Sequence, residues 1–386
     1  MVELKASYGL VGNDQIGGDR RFIYNETVIG GGKYYFGTTP SQYTSVRLGE
    51  FPNPNVGWEK AKKLNLGADL SFFNQLNISV DYFKENREGI FLQRKSIPMY
   101  VGLSTKPWVN IGKMRNSGID ASLEYHQPLG KDLHLTVRGN FTYARNRIMD
   151  QDEPDYAYTY MNRSGQMQWQ KFGLVAVGLF QDQEDIDSWT KQSFGEVKPG
   201  DIKYLDLNGD GIVDSYDTKP IGYSDIPEIV YGFGFSLQWK AFDLSAFFQG
   251  VAHVNFSTLT DQTQAFVGRN LKESSVFADL YGNTWTPENP GAKYPRMTTG
   301  AVDNNNQLST FWMADGRYLR LKNLELGYTL PKRIANKIAM QNLRVYLSGV
   351  NLFTFSPFKL WDPDLQTGAT NYPNNRIINL GLTIGF

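Results

Sequence analysis

The sequence predicts an all-β chain of about ten antiparallel strands, arranged as the wall of a transmembrane barrel rather than as a soluble sandwich. Three observations carry this expectation. Apolar residues recur at period two in segment after segment. The connections between these segments alternate between short and long without a break. Aromatics make up 14% of a chain that holds 38 glycines and has a mean hydropathy of −0.42, although 41% of its residues are hydrophobic. Many short strands with interleaved polar residues produce that combination. No run of about 18 apolar residues occurs, which argues against a membrane-crossing helix but not against strands.

The strands follow in order along the chain, beginning with "VELKASYGLVG". The stretch "KLNLGADLSF" sets Leu64, Leu66, Ala68, Leu70 and Phe72 on one face, against Asn65, Gly67, Asp69 and Ser71. After the three residues "FNQ", "LNISVDYF" repeats the pattern with Leu76, Ile78, Val80 and Tyr82, so the pair is a hairpin. "GIDASLEY" aligns Ile119, Ala121, Leu123 and Tyr125, and a turn at "QPLGKD" leads into "LHLTVRGNFTY". "EIVYGFGFSLQW" aligns Ile229, Tyr231, Phe233, Phe235, Leu237 and Trp239, and Lys240 and Ala241 turn the chain into "FDLSAFFQG". "YLRLKNLELGYTL", "LRVYLSGVNLFTF" and the terminal "RIINLGLTIGF" complete the ten. The best helical pattern is "PKRIANKIAM", Pro331 to Met340, with proline where a first turn tolerates it.

Connections at 72–75, 127–132, 240–241 and 331–342 are short, whereas those at 12–57, 93–113, 147–228, 252–316 and 356–375 are long. Antiparallel strands joined this way place all short turns at one end and all long loops at the other, the plan of an outer-membrane barrel. A soluble sandwich has no reason to sort its loops so strictly. The polar faces carry Asp69, Asp81, Glu124, Arg138 and Lys322. Phe72, Tyr125, Tyr143, Trp239, Phe242, Tyr328 and Phe353 sit near strand ends, as interfacial girdles require. The chain stops on Phe386, the last residue of an alternating strand, which points to a strand needed for closure.

Several stretches resemble the SusC/RagA type of TonB-dependent outer-membrane transporters of Bacteroidota: "NPNVGWEKAKKLNLGADLSFF", "NIGKMRNSGIDASLEY", "VKPGDIKYLDLNGDGIVDSYD", "IPEIVYGFGFSLQWKAFDLSAFFQG" and "DGRYLRLKNLELGYTLP". The resemblance covers essentially all of residues 1–386. It implies the C-terminal part of a large barrel of about 22 strands, with long extracellular loops, short periplasmic turns, and the plug and earlier strands absent. The first fifteen residues lack the features of a secretory signal, so the signal peptide is expected outside this fragment. The resemblance further implies active import of glycan fragments or peptides, with no covalent chemistry. The implied partners are a SusD-like surface lipoprotein, outer-membrane lipid, an oligosaccharide or peptide substrate, and the TonB–ExbB–ExbD complex reached through the missing N-terminal part. A ten-stranded sheet with open edges is not expected to transport alone.

The sharpest chemical motif is "DLNGDGIVDSYD", within the long loop 147–228 that this topology places outside the cell. Asp206, Asn208, Asp210, the carbonyl of Ile212, Asp214 and Asp217 occupy positions 1, 3, 5, 7, 9 and 12 of an EF-hand-like or dockerin-like loop spanning 206–217, with Gly211 at the sharp turn. Hard oxygen ligands suit Ca2+. Aspartate at position 12 is one methylene shorter than the usual glutamate, which weakens bidentate reach. The alternative is an acidic turn that holds no ion. A bound ion would be structural, stiffening the loop.

Other chemistry is sparse. Equal numbers of basic and acidic residues, 39 each, offer no field for nucleic acid, and the absence of cysteine excludes disulfides, thiolate metal sites and a cysteine nucleophile. His126, His134 and His253 are scattered with no triad or zinc spacing, so no catalytic residue and no enzyme is expected. Trp108, Trp169, Trp189, Trp285, Trp312 and Trp361 could stack on sugars or serve as loop packing. A secreted calcium-binding or carbohydrate-interacting β-protein is the alternative, but it predicts a second copy of the loop, which is absent.

Overall fold

The computed structural model describes residues 1–15, 18–103, 105–260, 263–264, 266, 277–338, 340–368 and 371–385. Ten strands form one sheet: β1 (Val2–Asn13), β2 (Glu59–Phe72), β3 (Leu76–Gln93), β4 (Trp108–Pro128), β5 (Leu133–Asp150), β6 (Ile229–Trp239), β7 (Phe242–Ala252), β8 (Tyr318–Thr329), β9 (Asn342–Phe355) and β10 (Ile377–Gly385). Each pairs antiparallel with its neighbours in chain order, leaving β1 and β10 as the two edges. No helix is long and apolar enough to cross a membrane among the described residues. Phe386, the proposed closing residue, lies outside the described residues.

Register joins the apolar faces into one surface. The row Leu70, Ile78, Leu123, Gly139, Phe233, Phe248, Leu321 and Phe353 runs across eight strands from β2 to β9. The next row runs Ala68, Val80, Ala121, Phe141, Tyr231, Gly250, Leu319 and Phe355. A slip of one residue anywhere would put polar side chains into this surface. Among the described residues no element covers it: Leu380 is 78% exposed and Leu347 50%. Such a continuous apolar face is far beyond what a soluble monomer leaves bare.

One local feature went unread and one local expectation is corrected. The pairing of β8 shifts between Leu321 and Asn323, and Lys322 takes up a β-bulge. The sequence carries the sign of this: apolar residues fall on odd numbers at Leu319 and Leu321 and on even numbers at Leu324, Leu326 and Tyr328. Pro331 to Met340 is not one helix. Only Lys332–Ala335 is α-helical, followed by a 3₁₀ turn at Asn336–Ile338. The connection must return the chain to the adjacent strand about 5 Å away, and a ten-residue helix, about 15 Å long, would overshoot it.

Besides short bridging strands and 3₁₀ turns in the long loops, a hairpin and a helix went unread in the sequence. A hairpin of Val28–Phe36 and Ser41–Leu48 stands inside the connection from β1 to β2. A short helix, Gln183–Ser188, starts at Asp182, whose side chain accepts the Asp185 amide at 2.8 Å.

The glycines of "YGFGF" serve close packing. A Cβ on Gly234 would stand 2.4 Å from the Ala246 carbonyl oxygen and 3.0 Å from the Phe247 ring. Gly234→Val is expected to cost about 1–3 kcal/mol of barrel stability by overpacking, read as a lower urea midpoint in detergent-refolded protein. An unchanged midpoint would show that Phe247 swings away freely.

Candidate functional site

The polar face of the sheet is a ladder of charged side chains held by neighbours on adjacent strands. Lys5 of β1 reaches Asp69 of β2 at 2.8 Å and Asp81 of β3 at 3.9 Å. Lys63 meets Glu85 at 3.2 Å, and Arg87 bridges Glu85 at 2.8 Å and Glu59 at 3.4 Å. Arg138 and His126 share Glu124. Arg344 of β9 joins Asp243 of β7 to Glu325 of β8, each at 2.5 Å. Most of these groups are partly exposed, so solvent screens each pair and it contributes little to stability. They suit the hydrated lining of a lumen better than a reaction centre.

At the long-loop end the chain builds a second body from described residues of the connections 151–228, 253–317 and 356–376. Its core contains Leu174, Leu179, Ile202, Tyr204 and Val213 from the first of these and Leu280, Trp285, Tyr294 and Trp312 from the second. A buried polar hub locks the two together. Asp201, fully buried, takes a two-pronged ion pair from Arg296 (2.9 and 3.2 Å) and the Asn305 amide at 2.9 Å. Asn305 Oδ1 in turn accepts the Ile202 N–H at 2.8 Å. Gln192 accepts the Tyr204 N–H at 2.6 Å and donates to the Ile202 carbonyl and to Asn304. The third connection is stapled to β8 by Arg320, 2% exposed, which bonds Asp364 at 2.6 Å, Thr354 at 2.9 Å and Asp362. These three connections are thus a packed module.

Within it the acidic loop is tightly folded. Asp206 accepts the Gly209 and Gly211 amides at 2.7 and 3.0 Å, Asn208 accepts the Asp210 amide, and Asp210 accepts that of Ile212. Gly209 and Gly211 adopt φ of 75° and 88°, conformations that favour glycine. Asp217 is fully buried and holds the loop shut: its oxygens accept the Leu207 and Asp214 amides at 2.7 and 2.8 Å. Asp214 caps the 3₁₀ turn Ser215–Asp217 through the Tyr216 amide. Among the described residues no three carboxylate or imidazole side chains converge closely enough to hold a metal ion. Of the six residues, Asp217 is the poorest placed for an ion, because its oxygens are engaged with backbone amides.

Most tryptophans are spent on packing. Trp285 and Trp312 are core residues; Trp189 donates to the Tyr204 carbonyl at 2.8 Å; Trp361 packs on Phe256, Phe277 and Phe358. Trp108 stacks on Phe91, and of the six tryptophans singled out in the sequence only Trp169, 62% exposed, projects freely. A cleft of about 300 Å³, lined by Asp279, Lys293, Tyr294, Phe311, Phe358 and their neighbours, escaped sequence reading because its walls come from two connections far apart in the chain. There the Lys293 ammonium and the Tyr294 hydroxyl, each 2.6 Å away, hold the Asp279 carboxyl below the usual carboxylate range. His253 is bound to Glu228 at 3.1 Å and stacked on Tyr223, so it is structurally engaged.

An open-edged antiparallel sheet with a bare apolar face, a charged opposite face and all long loops at one end defines a segment of a transmembrane β-barrel of the receptor class. The family described as "TonB dependent receptor-like, beta-barrel" matches residues 24–352, and the chain belongs to it. TonB-dependent receptor P3 of Formosa agariphila is 29% identical over 412 residues, an alignment covering 99% of this chain and 39% of that protein. TonB-dependent receptor SusC of Bacteroides thetaiotaomicron is 26% identical over 408 residues, covering 100% of this chain and 37% of that one. The chain therefore spans about 40% of the length of the curated relatives it matches. The RagAB peptide importer in its "open-open" state shares the fold, with a TM-score of 0.73 at 22% identity over 100% of this chain and 40% of its own. The long loops are accordingly extracellular and the short turns periplasmic, and the family is one of receptors and transporters rather than enzymes.

Two outcomes are expected. Asp201→Ala leaves Arg296 and Asn305 without their buried partner and is expected to destabilise the loop module by about 3–5 kcal/mol, seen as new protease cuts between 283 and 306 while the barrel strands stay protected. Asp152 tests pH dependence. Although partial burial pushes its carboxyl up, bonds from Ser96, Arg94 and the Lys95 amide hold it down at about 2. A depressed value stabilises above the unfolded value near 3.9, and the contribution is lost as pH falls through about 2. Hydrogen exchange at the Lys95 and Ser96 amides should therefore accelerate, beyond the intrinsic pH effect, between pH 4 and 2; no excess would show the tie is not formed.

Proposed function

We propose that this chain is the C-terminal wall and much of the extracellular module of an outer-membrane transporter that imports oligosaccharides or peptides. The observation that carries this is the uninterrupted order of ten antiparallel strands with a bare apolar face, in a member of a TonB-dependent barrel family. The backbone donors and acceptors of β1 and β10 that face away from the sheet need partners within lipid, so further strands of the same protein close the barrel. A plug within it couples to the TonB–ExbB–ExbD complex. A SusD-like lipoprotein covers the extracellular module, a reading supported by the likeness to SusC and, in fold, to RagAB. The solute crosses unaltered, and the polar ladder and the Asp279 cleft offer hydrogen bonds and charge along its way. In a strain lacking the native gene, uptake of one oligosaccharide or peptide nutrient should be lost, and the polypeptide should fractionate with outer membrane. Unimpaired uptake of every such nutrient, or a soluble polypeptide, would overturn the reading.

The loop at 206–217 is proposed to bind calcium through Asp206, Asn208, Asp210, the Ile212 carbonyl and Asp214, with Asp217 securing the loop from behind. External calcium at millimolar levels is enough for such a weak site. Calcium should then slow proteolysis of this segment relative to chelator, and Asp206→Ala with Asp210→Ala should abolish the difference. Equal cleavage of the unsubstituted protein with and without calcium would sink the idea.

A further inference from the structure

The apolar face of β2–β5 changes character abruptly toward the extracellular end. Tyr82, Ile119 and Tyr143 form its last apolar row. Two residues further along each strand, Leu64, Lys84, Ser117 and Arg145 form the next row, and Lys62, Asn86, Arg115 and Arg147 the one beyond. Arg115 and Arg147 are thus direct cross-strand partners, and like charges so placed repel unless an anion lies between them.

Among the described residues an anion is supplied to only one of the three arginines. Arg145 is neutralised by Glu228, both contacts at 2.6 Å. Among the described residues Arg115 bonds only to the Asn86 side-chain oxygen, at 3.1 Å, and Arg147 only to the Gly165 carbonyl. The three arginines, Tyr82, Ile119 and Tyr143 line an open cleft of about 270 Å³ on this outer surface. Its two ends differ in chemistry: rings and an isoleucine below, guanidinium groups one or two rows above, a separation of roughly 7–14 Å along the strands.

We propose that this cleft binds the phosphate-bearing headgroup of an anionic lipid in the external leaflet. Acyl chains lie on Tyr82, Ile119 and Tyr143, and the phosphate sits between Arg115 and Arg147, with Lys84 beside it. Planar guanidinium groups take phosphate oxygens in pairs, and an anion held between them removes the cross-strand repulsion. A lone acidic protein partner would use the arginines but leave the aromatic floor to lipid in any case. The inference rests on the outer-membrane reading above.

The test uses the full-length protein purified in non-ionic detergent and titrated with diphosphorylated lipid A or with phosphatidylcholine, bound lipid being counted by native mass spectrometry. Lipid A is expected to bind at least about tenfold more tightly than phosphatidylcholine, and Arg115→Gln with Arg147→Gln to remove that preference. Should the double variant not fold, the unsubstituted protein still decides: its preference must shrink as salt rises from about 0.1 to 0.5 M. Equal binding of both lipids, a salt-independent preference, or full preference in the folded variant overturns the proposal. A native protein absent from the outer membrane would instead overturn the barrel reading itself.

Discussion

A backbone that crosses lipid finds no water for its N–H and C=O groups, and every other feature of this chain follows from how that need is met. Each interior strand satisfies both its edges by pairing with the strands before and after it in sequence, so the ladder never crosses over. Period two then decides which side chains meet lipid. Because the register carries Leu70 through Phe353 along one row, a strand cannot shift without exposing Asp81 or Arg138 to hydrocarbon. The bulge at Lys322 shows the constraint at work: one extra residue is expelled from the ladder so that the apolar residues on either side of it keep facing outward.

The two faces of the wall answer to different solvents. Toward the lumen, charges are paired across strands yet remain partly wet, a surface that tolerates a polar solute without holding it tightly. Toward lipid, the charges of β2–β5 gather at the rim, where Lys84 and Arg145 follow the aromatic row and Lys62, Arg115 and Arg147 lie one row beyond. The same side-chain type therefore has opposite consequences according to its row: Arg344 on the polar face balances two carboxylates, whereas Arg147 outside looks to the membrane for its counter-charge.

Outside the membrane the organising interaction is the Asp201–Arg296 pair with Asn304, Asn305 and Gln192 around it. These residues lie about a hundred positions apart and satisfy one another's buried groups, so the two longest connections fold as one body. That hub relieves the acidic loop of a structural burden. A calcium ion there would tune one surface turn of a module already held by its core.

The strands, their order and the sorting of loops were legible in the sequence because side-chain alternation and connection length are local properties that sheet geometry translates directly. The bulge was legible too, in the switch of apolar parity around Lys322. The roles of the tryptophans, the Asp279 cleft, the Arg320 staple and the buried Asp201 hub were not, because each joins residues from different connections, and period two ends where the strands do. The sequence by itself determined a lipid-facing and a water-facing side for every strand, since alternation fixes a residue's face once the strand exists. Only the tertiary structure decided which long loops share a core and which arginines stand side by side, because those contacts depend on register across strands and on packing between segments far apart in the chain.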